Sequence, residues 1–218
     1  MAGAIIRGLL AALLLAISAA ATALPPRMPP VDYCARDRSF AAFRTALNRA
    51  IARRDAAFIL GIAADDIEYS FGDSPGRAGF ARAWGLARPA TSRLWRELGA
   101  ALRLGCTRDD GDGFWSPSMS VIGNEDLGED YTLLLVAVAP GAALRSGPSD
   151  SSRLVAPLRW DVVRLDEGAT QGRWIPATML DGRRGYIRRA LFRGFGDYRA
   201  VFNKRHGRWR MTAFVAGD

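Results

Sequence analysis

The chain reads as an α+β protein: a helix-rich N-terminal region, then a small closed or nearly closed β-barrel, then a C-terminal β-hairpin. Three observations predict this. Apolar residues recur at helical spacing in the first half, as in Phe40, Phe43, Leu47, Ala50 and Ile51. From Phe114 onward the pattern changes to short runs separated by Gly, Pro and Asp turns, with no convincing helix. The final stretch, YRAVFNKRHGRWRMTAFVA, places two alternating runs around His206-Gly207, a two-residue hairpin signal.

Ahead of these elements stands MAGAIIRGLLAALLLAISAAATALPP. Arg7 is its only charge, an apolar run spans Gly8 to Ala20, and Ala21-Thr22-Ala23 supplies the small residues of a cleavage site. Residues 1–23 therefore read as a secretory signal peptide. A membrane anchor is the competing reading. The run is short for a hydrocarbon core of ~30 Å, and Pro25 stops the helix. The mature chain is expected in the periplasm or secreted, with no membrane span after cleavage. In that oxidising setting Cys34 and Cys106, the two cysteines of the chain, are candidates for a disulfide. Two free buried thiols are the alternative. Neither cysteine has a histidine near it and no CxxC occurs, so metal and redox readings are weak and no cofactor is implied.

Lys and Arg number 30 against 22 Asp and Glu, a net charge of +8, and Lys204 is the sole lysine. Arginine suits bidentate contact with carboxylate or phosphate. An exported basic protein meets anionic cell-wall polymers, lipid headgroups and extracellular nucleic acid; a solvated basic surface is the plainer reading. Long Lys/Arg blocks are missing, which excludes a nucleic-acid arm.

Residues 24–37 hold four prolines and read as an extended leader. Residues 38–128 form the helix-rich α+β region, in which Ser39, Asp55 and Ser92 are the expected helix caps. Ile67 to Phe71 alternates as a half-buried strand, and Phe80 and Trp84 sit four apart on a short helix. Asp109, Asp110 and Asp112 invite a calcium reading, but the loop lacks the spacing and closing Glu of an EF-hand. The acidic cluster Asp65, Asp66, Glu68 and Asp73 could supply a general base if a pocket surrounds it; helix capping and ordinary strand-end charge are the bland alternative. GxSxG, HExxH and phosphate-loop motifs are missing, and His206 falls in a turn, so an enzyme is not expected.

The barrel is built from short runs: Ala143 to Arg145, Leu154 to Leu158, Trp160 to Leu165, Gly172 to Ala177, and Gly185 to Ile187. Asp181-Gly182 is a hairpin turn signal, and Leu191 ends the unit. The segment Leu144-Arg145-Ser146-Gly147-Pro148-Ser149 opens it, Trp174-Ile175-Pro176-Ala177 is central, and Gly182-Arg183-Arg184-Gly185-Tyr186-Ile187 followed by Leu191 closes it. These three ordered elements resemble the bacterial Src homology 3 domain of the SH3b type over residues 136–193. Ala177 and Tyr186 depart from the family's Val and Trp, and Pro176 within a strand suggests a sheet edge.

The SH3b resemblance implies an SH3-like barrel with an aromatic groove beside the opening loop. Such domains bind peptides or cell-wall stem peptides and rarely catalyse anything. The implied ligand-binding residues are Arg145, Trp160, Trp174 and Tyr186. The alternative is that Trp160 and Trp174 fill a small core. Residues 194–218 lie beyond the last barrel strand and need another sheet to join. Together with the paired helices they resemble the nuclear transport factor-like cone fold, with the barrel as an insertion. The expected function is thus a non-catalytic envelope protein binding peptide or peptidoglycan-type ligands. A scaffolding envelope protein is the alternative, and a small-molecule-binding or enzymatic cone fold a further one.

Overall fold

The computed structural model describes residues 27–72, 75–108, 111, 113–121, 130–166, 168 and 172–217, and these residues form four α-helices and two sheets. The expected signal segment, Asp73, and Asp109, Asp110 and Asp112 lie outside the described residues.

Helix α1 (Arg38–Arg53) starts where the Asp37 carboxylate accepts the Phe40 N–H at 2.9 Å. Asp37, rather than Ser39, is therefore the cap, and the Ser39 hydroxyl donates to that same carboxylate at 2.7 Å. Arg54 ends α1 in the left-handed region at φ 55°. Asp55 then caps α2 (Ala56–Ile62) through the Phe58 N–H. Strand β1 (Ala63–Glu68) follows, beginning before the Ile67–Phe71 run and ending within it. Helix α3 (Arg77–Ala83) comes next. At α4 (Leu94–Arg103), Ser92 Oγ accepts the Leu94 N–H at 3.2 Å and donates to the Trp84 carbonyl at 2.6 Å.

Strands β2 (Thr107–Arg108) and β3 (Phe114–Ser116) precede the second sheet in sequence, and β11 (Arg199–Arg205) and β12 (Arg208–Val215) follow it. These four join β1 in one sheet of order β1-β12-β11-β3-β2. The β11–β12 hairpin turns on His206 and Gly207, at φ 50° and 75°, which is the backbone a two-residue primed turn demands. Alternate residues of β11 point to opposite faces. Ala200 and Phe202 meet the helices, and Phe40 is the centre of the packing there. Its ring lies 4.8 Å from Phe114, 5.5 Å from Phe202 and 4.9 Å from Trp209, in edge or tilted contacts.

The second sheet contains β4 (Leu134–Ala137), β5 (Ala143–Arg145), β6 (Leu154–Pro157), β7 (Val162–Leu165), β8 (Trp174–Met179), β9 (Arg184–Arg188) and β10 (Phe192–Gly194). Its order is β10-β4-β7-β8-β9-β5-β6, every pair antiparallel. Leu144, Val163, Ile175 and Ile187 are fully buried and make its core. Strand β8 is internal to the sheet, so Pro176 does not mark an edge strand. Its ladder with β7 ends at Leu165 opposite Ala177, and the missing N–H falls just beyond that end.

A third apolar cluster joins the two parts: Met119 and Phe195 pack with Leu134, Val136 and Val162. The leader continues this contact. The Met28 N–H donates to the Trp160 carbonyl at 2.7 Å, and Arg27 Nε reaches the buried Asp161 carboxylate at 3.2 Å. Further on, Asp32 takes a bidentate contact from Arg44 at 2.7 and 2.6 Å.

Cys34 and Cys106 form a disulfide, with Cα atoms 5.6 Å apart. The flanking backbone is paired on both sides: Cys106 N–H to the Val31 carbonyl at 2.8 Å, and Tyr33 N–H to the Cys106 carbonyl at 2.9 Å. Among the described residues no helix is long and apolar enough to cross a membrane. The bridge spans a sequence separation of 72, for which the chain-entropy relation gives about 4 kcal/mol. We predict that reduction lowers the urea midpoint by an amount equivalent to roughly half of that or more. Equal midpoints for the oxidised and reduced protein would show that the bridge constrains nothing the fold does not already hold.

Candidate functional site

Loop 146–152 stands between β5 and β6 and is closed by its own hydrogen bonds. Ser146 N–H donates to the Arg153 carbonyl at 3.0 Å, and Ser152 N–H to the Ser149 carbonyl at 3.2 Å. Arg145 braces it from the strand, its Nη1 donating to the Ser152 carbonyl at 2.8 Å. Near the loop's tip, Asp150 reaches over the sheet to Arg173 at 3.3 Å and Arg188 at 3.7 Å. These two pairs are exposed and are worth little in stability, roughly 0–1 kcal/mol each. They fix the loop above β8 and β9.

Register decides which side chains share the outer face. Directly opposed residues of antiparallel strands point the same way. Arg145 lies opposite Leu154 on one side and Tyr186 on the other, and Tyr186 lies opposite Pro176. Leu154, Arg145, Tyr186 and Pro176 thus form one row across four strands. Trp174 opposite Arg188 is the next pair on that face. The inward partners Leu144, Ile187 and Ile175 are fully buried, whereas Arg145, Trp174, Pro176, Tyr186 and Arg188 are half-buried and Leu154 is 49% exposed. The face combines apolar and aromatic area with three arginines (145, 173 and 188) and one carboxylate.

The structure brings together Arg145, Trp174 and Tyr186 but not Trp160. Trp160 lies in the turn before β7 at φ 64°, with its N–H on the Ala137 carbonyl at 2.9 Å. Asp161 sets this turn by accepting the Arg159 N–H at 2.6 Å. The indole packs with Met28 and Val138 and lines a separate apolar cleft of about 250 Å3 against the leader. Sequence reasoning missed Leu154 and Arg188. Arg188 was within reach of it, two residues beyond Tyr186 and therefore on the same face of a strand.

The acidic cluster of β1 is exposed. Asp65, with a side chain 93% exposed, pairs with Arg77 at 2.7 Å, and Asp66 pairs with Arg205 at 2.5 Å. The Arg205 hydrogen bond holds the Asp66 carboxyl below its usual range, the opposite of what a base working near neutrality needs. Among the described residues no group of three or more His, Cys, Asp or Glu could hold a metal ion.

No family model matches the chain, and no curated protein matches it. Among solved structures, an NTF2-like protein with a cystatin-like fold from Novosphingobium aromaticivorans is similar at 16% identity. The match covers 84% of this chain and 86% of that one, with a TM-score of 0.26.

Gly185 is the position that lets the row assemble. A methyl group there would overlap the Arg145 carbonyl of β5 and stand 3.0 Å from Leu144 Cγ. Backbone cannot swing aside as a side chain can, so β5 must shift. Gly185→Ala is expected to destabilise by about 1–3 kcal/mol in a thermal or urea melt. Gly61→Ala on α2, where a methyl meets nothing within 4 Å, is the control and should hold or raise stability. A Gly185→Ala protein as stable as the parent would mean that β5 and β9 are not packed this closely.

Proposed function

We propose that the chain is an exported cell-envelope protein whose second sheet is an SH3b-like barrel module that binds peptide or peptidoglycan-type ligands without catalysis. The observation that carries this reading is the cross-strand row Leu154–Arg145–Tyr186–Pro176, with Trp174 and Arg188 beside it. Aromatic area next to guanidinium groups suits a stem peptide, which presents short apolar side chains and free carboxylates. Tyr186 adds a hydroxyl that can donate or accept. Arg145 is already oriented by the Ser152 carbonyl, so little side-chain freedom is lost when a ligand carboxylate joins it. The return of β10 beside β4 supports the barrel reading, and the Cys34–Cys106 bridge supports an oxidising compartment.

The test is retention of the protein on purified peptidoglycan sacculi. The parent should be retained, and less so as salt rises from about 50 to 300 mM, because the charge contacts are partly exposed. Tyr186→Ala and Trp174→Ala should each weaken retention roughly tenfold or more while leaving the melting temperature nearly unchanged. Arg145→Ala also removes the loop brace, so Arg145→Lys accompanies it; the lysine keeps the charge and loses the bidentate geometry. Retention by folded variants at the parent's level would overturn the assignment of this face and favour a scaffolding role.

A further inference from the structure

The first sheet has a second face, on the side away from the helices, and register again shows what it carries. Arg199 lies opposite Val215, while Trp115, Val201, Ala213 and Glu68 follow one another across four strands. Together with Phe71, just past β1, these residues line a cleft of about 430 Å3. That is the size range of sites for small organic ligands. Its floor is apolar, with Val201, Ala213 and Val215 only 8%, 7% and 4% exposed.

Arg199 is the anomaly in this cleft. Its guanidinium lies 5.6 Å from the centre of the Phe71 ring. Among the described residues it makes no ion pair and no side-chain hydrogen bond. The neighbouring Arg205 is paired with Asp66, and Asn203 and Thr212 are bonded to each other at 2.6 Å. Burial pushes the Arg199 pKa down. An arginine nevertheless stays protonated at neutral pH. The protein therefore keeps a partly desolvated cation over an apolar floor, and among the described residues no carboxylate pairs with it, an arrangement that costs stability until an anion arrives.

We infer that this cleft binds an amphipathic organic monoanion, a carboxylate on a flat apolar body, with the carboxylate on Arg199 and the body lying over Val201 and Val215. Phe71, 54% exposed, supports the guanidinium from behind and offers ring area to the ligand. Glu68, which also lines the cleft, repels a second negative charge, so dicarboxylates are disfavoured. The site is separate from the Arg145 face, and neither assignment depends on the other.

The probe is 2-naphthoate, with 2-naphthamide as its neutral counterpart, measured by titration calorimetry on the folded full-length protein. The parent should bind the carboxylate at least tenfold more tightly than the amide. Arg199→Gln should abolish that preference, and Phe71→Ala, a change at an exposed ring, should weaken carboxylate binding several-fold. Because Arg199 makes no ion pair among the described residues, Arg199→Met should leave the melting temperature unchanged or raise it, which an arginine held in a structural ion pair would not do. Tyr186→Ala should bind 2-naphthoate as the parent does. Equal affinity for acid and amide, no binding of either, unaltered carboxylate binding in Arg199→Gln, or a lowered melting temperature in Arg199→Met would each overturn the inference.

Discussion

Strands β3 and β11 lie side by side in the first sheet, with Ser116 opposite Ala200 although the second sheet separates them in sequence. Every residue between them must leave the first sheet and return to the same place. The second sheet meets this constraint by closing its own ends: β4 enters beside β10, with Ala137 opposite Phe192. One pair of neighbours is thus nested within the other. The entropy of closing such a long excursion grows only with the logarithm of its length, so a few paired strands at each closure can hold it. The disulfide adds a covalent closure just upstream, fixing the N-terminal helices to the start of β2 before the excursion begins.

The same pairing decides where chemistry can occur. With β11 and β12 in place, Phe202, Met211 and Phe214 meet Phe40, Phe80 and Leu94 from the helices, and aromatic rings take up the space between the two layers. On β1, Asp65 and Asp66 stand in exposed ion pairs, with Asp66 held ionised by Arg205. On the outer faces of the two sheets, half-buried side chains such as Arg145, Tyr186 and Arg199 keep a polar end near water.

Local signals in the sequence were legible because their physics is local. His206-Gly207 demanded positive φ at both positions, and Asp55 was a helix cap whichever sheet lay nearby. The strands Ala143–Arg145 and Arg184–Arg188 were visible from alternation and turn residues alone. What failed depended on partners. Asp37 displaced Ser39 as the cap because its carboxylate is the stronger acceptor and Ser39 itself donates to it. Trp160 reads as the start of a β-branched run, but Asp161 captures the Arg159 N–H and folds the indole toward the leader. Leu154 joins Arg145 through a register shift between Leu144 and Arg145, which no pattern of residue types announces.

A chain this rich in arginine makes net charge a poor guide to function, because part of that charge is used as internal bracing. Arg210 donates to the Gly61 carbonyl near the end of α2, Arg77 to the Ala63 carbonyl, Arg54 to the Ala90 carbonyl and Arg193 to the Tyr198 carbonyl. A guanidinium with five donors is well suited to collecting backbone oxygens that helix ends and turns leave over. The informative quantity is therefore the mismatch between desolvation and pairing at each arginine. Arg145 is half-buried and oriented by one carbonyl. Arg199 is similarly withdrawn from water and, among the described residues, has the Phe71 ring as its partner. Arg145, which braces its loop through one donor, and Arg199, which makes no such bond among the described residues, sit one on each sheet and are distinguished by their surroundings rather than by residue type.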